Sequence, residues 1–228
     1  MKGKLIIIEG SDGSGKATQT EKLYTKFLGA GLKVKKVEFP NYESESSALI
    51  KMYLNGDFGK EPNDVNPYVA STFYAVDRFA SYKREWKSFY DEGGIILADR
   101  YTTSNMVHQA AKIENELEKD KFLDWLWEYE YKLFNLPEPD CVIFLDMPPE
   151  YSRKLMEERN NKFTGTETKD IHERNFEYMN NSYNNAKSVA EKYSWKKITC
   201  IKDNNIRSIE EIAEEIYDRT KIYCYNSL

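Results

Sequence analysis

Near the start of the chain, a glycine-rich segment carries a lysine at a spacing that suits phosphate binding. Gly10, Gly15 and Lys16 follow the pattern G-x-x-x-x-G-K within LIIIEGSDGSGKAT. Glycines let main-chain N–H groups close around an anion, and the helix that follows offers its positive N-terminal end. The lysine adds a charge that can reach the β and γ phosphates of a nucleotide. We therefore predict a triphosphate-binding loop made of Gly10, Ser11, Asp12, Gly13, Ser14, Gly15, Lys16, Ala17 and Thr18.

The position after the lysine departs from this pattern. The motif has Ser or Thr there, whose hydroxyl binds magnesium, whereas this chain has Ala17. Thr18 comes next but lies about 100° further round the helix, so it does not automatically replace that ligand. We therefore expect magnesium to be held by water and nearby carboxylates rather than by the loop.

Five short apolar runs alternate with stretches of helical length. They cover residues 5–8, 34–39, 95–98, 142–145 and 197–201. Apolar runs without polar alternation, joined by long connections, predict a parallel sheet that is covered on both faces and binds ligands at the carboxyl ends of its strands. Chemistry is therefore expected after each run, at the phosphate loop, Phe39-Pro40-Asn41-Tyr42, Asp99-Arg100-Tyr101 and Asp146-Met147-Pro148.

Between these strands the apolar spacing predicts helices over residues 18–28, 67–90 and 119–136. The second of them carries Tyr74, Asp77 and Arg78. Residues 160–170, NNKFTGTETKD, are polar and weakly patterned, which is typical of a surface loop.

The composition suits one large α/β domain over residues 1–228, with no linker to divide it. The 33 basic and 38 acidic residues give a net charge of −5, which argues against nucleic-acid or membrane-surface binding. Cys141, Cys200 and Cys224 lack metal-ligand spacing and are expected to be reduced thiols. Because neither a signal peptide nor a membrane span is apparent, we predict a cytoplasmic protein.

Four segments resemble those of the thymidylate kinase family: GSDGSGK, FPNY, STFYAVDR and DRYTTSN, with LPEPD before the fourth strand. The likeness spans nearly the whole chain. It implies a P-loop NTPase three-layer fold, in which helices surround a five-stranded parallel sheet and a mobile lid lies at about residues 159–170. It also implies transfer of the γ-phosphoryl group from ATP to dTMP in dTTP synthesis, with Mg²⁺ as cofactor and a homodimer as the assembly. The aromatic residues at 125–131 could serve the dimer contact or the core.

The resemblance also implies roles for matching residues. Lys16 and the loop amides would hold the ATP phosphates, and Arg100 would clamp the transferring group. The implied catalytic residues are Lys16, Arg100, Asp12, Asp99 and Lys162, and the implied metal-binding residues are Asp12, Asp99 and Glu173.

For the acceptor nucleotide, the resemblance implies that Tyr74 stacks on thymine and that Arg78 faces a base carbonyl. The other implied substrate-binding residues are Phe39, Pro40 and Tyr42 on the sugar and phosphate side, Asn105 and Gln109 near the base edge, and Ser104 and Arg100.

Three features depart from the family pattern. Many members have Tyr where this chain has His108, and some place an Arg in the phosphate loop where it has Gly13. Other members have several lid arginines, whereas this lid offers Arg159, Lys162 and Lys169, of which we take Lys162 as the lid cation. A lysine there supplies a point charge without the arginine fork.

Other interpretations stay open from the sequence alone. A deoxynucleoside kinase would accept a hydroxyl, with Asp99 as its base, and Ala17 would suit an ATP-binding regulator with weak catalysis. A GTPase is disfavoured because NKFT at 161–164 lacks the Asp of N-K-x-D.

Single residues also have simpler interpretations. Asp99 and Arg100 could form a buried ion pair, Arg78 could pair with Asp77 or Asp99, and Tyr74 could be a core aromatic. Because an acceptor phosphate with a second pKa of about 6 needs no strong base, the two histidines, His108 and His172, need not titrate.

Overall fold

A computed structural model describes residues 2–162 and 176–225, and the side chains within those ranges except 157–162 and 225. Its centre is a five-stranded parallel sheet in the order β2-β3-β1-β4-β5. The strands are β1 (Lys4–Gly10), β2 (Val34–Glu38), β3 (Ile95–Asp99), β4 (Cys141–Asp146) and β5 (Lys196–Thr199). The predicted five-stranded parallel sheet is confirmed.

Helices surround this sheet. The α-helices are α1 (Lys16–Gly29), α2 (Ala48–Asn55), α3 (Pro67–Ser81), α4 (Lys87–Asp91), α5 (Thr102–His108), α6 (Glu116–Trp127), α7 (Pro149–Lys162), α8 (Phe176–Lys192) and α9 (Ile209–Tyr225). Short 3₁₀ turns lie at Glu45–Ser47, Pro62–Asp64 and Ala110–Lys112, and π-helical segments at Tyr82–Trp86 and Glu128–Leu133.

Strand β1 shows why the sheet is covered on both faces. Ile6 and Ile8 belong to the core that includes α1 and α9, whereas Leu5 and Ile7 belong to the core that contains Trp86. Successive side chains of a strand point to opposite faces, so an uninterrupted apolar run requires a hydrophobic layer on each side. All four residues are fully buried.

The predicted helix over 67–90 is continuous in space, because the π-helical segment Tyr82–Trp86 joins α3 to α4. The helix predicted over 119–136 begins earlier, at Glu116, where the side chain of Asn115 accepts a hydrogen bond from the N–H of Glu118 at 3.1 Å. Its π-helical continuation ends at Leu133, before Asn135, whose φ of 54° is left-handed.

The fifth strand also differs from the prediction, since it ends at Thr199 rather than at residue 201. The chain then forms a small antiparallel hairpin, β6 (Ile201–Lys202) and β7 (Asn205–Ile206), which the sequence did not indicate. Asp203 and Asn204, with φ of 49° and 59°, make the turn between these strands. The hairpin matters because it places Ile206 beside the phosphate loop.

All three cysteines are buried and unbridged. Within the ranges that the structure describes, no helix is long and apolar enough to cross a membrane.

Candidate active site

A crevice of about 640 Å³ opens at the carboxyl ends of the strands, where the chain leaves β1, β2 and β3. It brings together most of the residues singled out from the sequence. Its lining includes Asp12, Gly13, Ser14, Gly15, Lys16, Ala17, Thr18, Phe39, Pro40, Tyr42, Tyr74, Arg78, Asp99, Arg100, Ser104, Asn105 and Gln109. Gly10 and Ser11 of the loop are not among the lining residues, and the side chain of Lys162 and all of Glu173 lie outside the described part.

The phosphate loop is shaped by its glycines and closed by its lysine. Gly15, with a φ of 89°, caps the start of α1, so the helix points its N-terminus into the crevice. The amine of Lys16 donates to the carbonyl of Ser11 at 2.8 Å and lies 3.8 Å from Asp12. The hydroxyl of Ser14 is buried and has no hydrogen-bond partner among the described residues. The loop therefore holds buried donors around a space that an anion can occupy.

Burial and neighbouring carboxylates act on the pKa of Lys16 in opposite directions. Burial lowers the pKa of Lys16, and the positive charge of Arg100 lowers it further. The carboxylates of Asp12, Asp99 and Glu9 act in the opposite direction. A bound polyphosphate would add negative charge beside the amine and so favour its protonated form.

The surroundings of Gly13 explain why the phosphate loop has no arginine at this position. Its φ of 75° is left-handed, and a Cβ atom built there would lie 2.6 Å from the carbonyl oxygen of Ser152 and 2.7 Å from Cγ of Met156. The packing of α7 against the loop thus leaves no room for a side chain. Cationic help must come from another element.

Arg100 supplies a cation from the end of β3. Its backbone is left-handed, with a φ of 67°, which is uncommon for a residue with a side chain and typical of functional sites. Its N–H donates to the carbonyl of Ile8 at 3.2 Å, which ties it to β1. The next residue, Tyr101, is fully buried and donates its hydroxyl to the carbonyl of Pro137 at 3.1 Å. The hydrogen bond to Ile8 and the anchored side chain of Tyr101 together hold the backbone of Arg100 in place.

The guanidinium of Arg100 connects the loop to α5. Nη2 donates to the carboxylate of Asp12, while Nη1 lies 3.4 Å from Oγ of Ser104 and 3.7 Å from Oε1 of Glu9. Burial opposes the charged form, but the carboxylates of Asp12, Glu9 and Asp99 outweigh it and raise the pKa of Arg100. The guanidinium is a permanent cation at the middle of the crevice.

His108 of α5 also contacts the guanidinium of Arg100. Its Nε2 is 3.1 Å from Nη1 of Arg100. Because arginine has no acceptor, that nitrogen must accept, so it carries no proton in this arrangement. The hydroxyl of Tyr178 in α8 donates to the carbonyl of His108 at 2.9 Å, and the two rings stack at 6.4 Å. The departure from tyrosine thus places an imidazole nitrogen against Arg100.

Glu9 is a site residue that the sequence reasoning missed. It is fully buried and accepts hydrogen bonds from the N–H of Gly10 at 3.0 Å and the hydroxyls of Thr103 and Ser104 at 2.8 and 2.7 Å. A carboxylate at the end of the apolar run LIIIE was the available signal, because a buried acid needs partners. Glu9 links the phosphate loop to α5 and helps to fix Arg100.

Arg78 has a partner that the sequence did not indicate. It pairs with Glu130 of the π-helical segment, through Nε to Oε2 at 2.7 Å and Nη2 to Oε1 at 2.5 Å, rather than with Asp77 or Asp99. Burial opposes the charge of Arg78, but Glu130 raises its pKa. Glu130 also accepts from Thr102 at 2.7 Å. The Nη1 group takes no part in the pair, and Arg78 still lines the crevice.

Asp77 fixes the wall that follows β2. Its carboxylate accepts from the N–H of Asn41 at 2.8 Å and from the hydroxyl of Ser46 at 2.6 Å. The segment begins at Phe39 and Pro40, which are joined by a cis peptide bond. These contacts hold the wall against α3.

Three further residues line the same end of the crevice. Tyr74 is half-buried, so its ring is not wholly part of the core. Asn105 is buried, and its amide nitrogen donates to the carbonyl of Ser71 at 3.3 Å. Gln109 is buried too, and its Oε1 has no hydrogen-bond partner among the described residues. This end therefore offers an aromatic face and amide groups to a ligand.

The carboxylates of the crevice suit a magnesium ion bound largely through phosphates and water. Asp12 and Asp99 both line the crevice and both act on the charge of Lys16, whereas Ala17 provides no oxygen from its side chain. In the described ranges no group of three or more His, Cys, Asp or Glu is arranged to hold a metal alone. Mg²⁺ is commonly bound by one or two carboxylates plus substrate phosphates, so this donor set fits it.

The wall beyond the phosphate loop was not anticipated. It includes Met156 of α7, Ile206 of the hairpin, Arg207 just after the hairpin, and Ile209 at the start of α9. Arg207 is held by the carbonyl of Thr199 at 2.7 Å. An apolar wall beside the loop could receive the base of a nucleotide, but its residues carry no recognisable motif.

A parallel α/β sheet, a glycine-rich loop with a buried lysine, and further polar residues of the same crevice beyond Arg100 are typical of P-loop phosphotransferases. The family model described as thymidylate kinase matches residues 8–216. The chain belongs to the thymidylate kinase family.

Individual relatives agree with this match. Thymidylate kinase from Mycobacterium tuberculosis is 31% identical over 174 residues, which are 76% of this chain and 79% of the relative. A probable thymidylate kinase from Pyrococcus horikoshii is 28% identical over 216 residues, 95% of each chain. The solved structure of thymidylate kinase from Candida albicans has the same fold, with a TM-score of 0.71 at 21% identity over 97% of this chain and 92% of that one.

These matches make the chain a dTMP kinase, which transfers the γ-phosphoryl group of ATP to dTMP. They do not favour the deoxynucleoside kinase or the weakly catalytic regulator.

Proposed function

We propose that this dTMP kinase binds ATP over the phosphate loop and dTMP between α3 and α5, with Arg100 between the two sets of phosphates. The position of Arg100 carries the proposal, because its guanidinium contacts Asp12 of the loop and His108 of α5. A fixed cation there reduces the repulsion between two anions that must be brought into line for transfer.

At the donor end, Lys16 and the loop N–H groups would bind the β and γ phosphates. A phosphate oxygen would replace the carbonyl of Ser11 as the acceptor of the Lys16 amine, and a charged acceptor makes a stronger hydrogen bond. The apolar wall at Ile206 and Ile209 would face the donor base.

At the acceptor end, Tyr74 would stack on thymine. The Nη1 group of Arg78 would donate to a base carbonyl. The Oε1 of Gln109, which has no hydrogen-bond partner within the described part of the chain, would accept from the N3–H group of the base. Phe39 and Tyr42 would lie on the sugar and phosphate side.

Transfer needs no general base. The acceptor phosphate, with a second pKa of about 6, is largely ionised at neutral pH and can attack directly. Lys16 and Arg100 would stabilise the charge that spreads over the transferring group. When bound, Mg²⁺ would neutralise charge on the β and γ phosphates, and Asp12 and Asp99 would hold it with water.

We also propose a homodimer through the outer face of α3. Val69, Val76 and Phe79 lie along that face and are 48%, 46% and 36% exposed. Phe79 packs on Phe134 at 5.3 Å, beside Leu133, which is 71% exposed. A contiguous exposed apolar face marks an interaction surface. Sedimentation should give a dimer for the wild type and a monomer for Val76→Glu, and a wild-type monomer would contradict the proposal.

The aromatic stretch at 125–131 divides between core and surface. Tyr131 is buried, whereas Trp127 is 36% exposed and lies near Lys132, whose amine is 4.2 Å from its ring centroid. We further propose a cytoplasmic location, in keeping with the three unbridged thiols.

A coupled ADP-release assay across nucleoside monophosphates, with thymidine as the unphosphorylated control, tests the proposed function. We expect ADP release with dTMP and ATP to exceed that with thymidine by orders of magnitude. Faster turnover of thymidine would contradict a phosphate-accepting site.

A further inference from the structure

A buried lysine outside the catalytic residues joins two walls of the acceptor end. Lys112 ends the 3₁₀ turn that follows α5. Its amine donates to the hydroxyl of Tyr53 in α2 at 2.8 Å and to the carbonyl of Val65, just before α3, at 3.2 Å. One side chain therefore ties together three segments that are distant in sequence.

The contact with Tyr53 is a hydrogen bond rather than a cation–π interaction. The amine of Lys112 is 2.8 Å from the tyrosine hydroxyl but 5.2 Å from the ring centroid, so it lies beyond the hydroxyl and not over the ring face. Such a bond fixes the direction of the tyrosine ring as well as its distance.

The protonation of Lys112 agrees with this role. Burial lowers its pKa to about 7. A neutral amine has two N–H groups, which match the hydroxyl of Tyr53 and the carbonyl of Val65. The same two donors are available in the charged form. The hydrogen bonds to Tyr53 and Val65 can therefore form whether Lys112 is neutral or charged.

Tyr53 links the Lys112 contact to residues that line the crevice. It is almost fully buried and meets the ring of Tyr74 edge-on, at 6.4 Å and 88° between planes, and that of Phe73 at 6.4 Å. Tyr74 and the neighbour of Tyr53, Leu54, both line the crevice. Close-packed aromatic rings transmit displacement, so loss of the Lys112 contact would let the ring of Tyr74 shift.

We propose that Lys112 is a positioning residue that holds Tyr74, through Tyr53, in the orientation that receives the acceptor base. Lys112 then sets the affinity for dTMP without touching the nucleotide and without affecting the transfer step. This inference rests on the proposed function, because it takes Tyr74 as part of the dTMP site.

A double-mutant cycle tests the inference. Lys112→Met keeps the apolar stem and removes the N–H donors, and Tyr53→Phe keeps the ring and removes the acceptor. We expect each change to raise the KM and the calorimetric Kd for dTMP about three- to tenfold, with kcat and the KM for ATP within about twofold. The effect of the double variant should be clearly smaller than the sum of the two single effects, because both changes remove the same hydrogen bond between Lys112 and Tyr53.

Lys60→Met is the matched control, since Lys60 is exposed and its amine donates to the carbonyl of Gly56 at 3.0 Å. It should leave both KM values unchanged. The inference is overturned if Lys112→Met binds dTMP like the wild type, or if the effects of the two single changes add fully. If Lys112→Met does not fold, Tyr53→Phe alone tests the inference. It should raise the KM for dTMP about three- to tenfold and leave the KM for ATP within about twofold. A wild-type enzyme that does not bind dTMP would instead refute the proposed function.

Discussion

The two ends of the crevice are built in different ways. At one end, the phosphate-binding part comes from one continuous segment, residues 10–18, whose binding groups are main-chain N–H groups and one lysine. The acceptor end combines α3, α5 and the wall after β2, which are held by buried side-chain pairs such as Arg78 with Glu130. A site made of one segment can be identified from a motif, whereas a site made of distant segments depends on partners that no motif includes.

The largest expected effects come from Lys16 and Arg100, the two cations that we propose face the transferring group. Lys16→Ala and Arg100→Ala should each lower kcat by about 10²–10³-fold, near 3–4 kcal/mol of transition-state stabilisation. Far-UV circular dichroism should be unchanged, because neither variant disturbs the sheet. Lys22→Ala, at an exposed pair with Glu210, is the control and should keep its rate. Wild-type turnover in Lys16→Ala or Arg100→Ala would contradict their roles.

Substitution of Glu130 tests whether its buried pair with Arg78 stabilises the acceptor end. Glu130→Gln removes the charge that compensates Arg78 in a buried pair, so the free energy of unfolding should fall by about 3 kcal/mol. Urea denaturation measures the loss. Changing both partners to apolar residues, Arg78→Met with Glu130→Leu, should recover most of that stability without recovering affinity for dTMP. Recovery of dTMP affinity in this double variant would show that Arg78 does not contact the base.

Glu9 connects the two ends, so its loss should affect both. Glu9→Gln should lower the free energy of unfolding by about 1.5–3 kcal/mol, because the amide carries no charge and replaces one acceptor oxygen by a donor. We expect a lower kcat as well, since the contact with Arg100 weakens. Glu21→Gln, at an exposed pair with Lys36, is the matched control and should change stability by less than about 0.5 kcal/mol. Equal effects of the two changes would contradict the role of Glu9.

The smallest expected effect concerns magnesium. Ala17→Ser restores the hydroxyl that the loop motif normally provides, and one added ligand should lower the Mg²⁺ concentration for half-maximal rate by about two- to fivefold. Ala17→Val, which adds bulk without oxygen, is the control. A magnesium requirement that is the same in Ala17→Ser and in the wild type would place the ion out of reach of this position.

The sheet was predictable because its signal is local and repeated. Ile6 and Ile8 alternate with Leu5 and Ile7 in an uninterrupted apolar run, and only burial on both faces accounts for such a run. The phosphate loop was predictable for a similar reason, because its glycines are needed at fixed offsets from Lys16.

The partners within the site were less predictable. Glu130 lies 52 residues from Arg78 and presents no pattern that distinguishes it from the surface acids around it. The contact became possible because the π-helical segment after α6 packs against α3. Similarly, Gly13 was recognised as a departure from the family, but the reason for it, the packing of Ser152 and Met156 of α7, is a tertiary contact. Pairings across elements depend on packing that hydrophobic spacing does not specify.

The division of the crevice between two substrates is the central claim, and titration calorimetry on two variants tests it most directly. Lys16→Ala should weaken binding of a non-hydrolysable ATP analogue at least about tenfold while the Kd for dTMP stays within about twofold, and Tyr74→Ala should do the reverse. If each folded variant lost both ligands to the same extent, or if dTMP binding depended on Lys16 rather than on Tyr74, the two ends would not hold separate substrates.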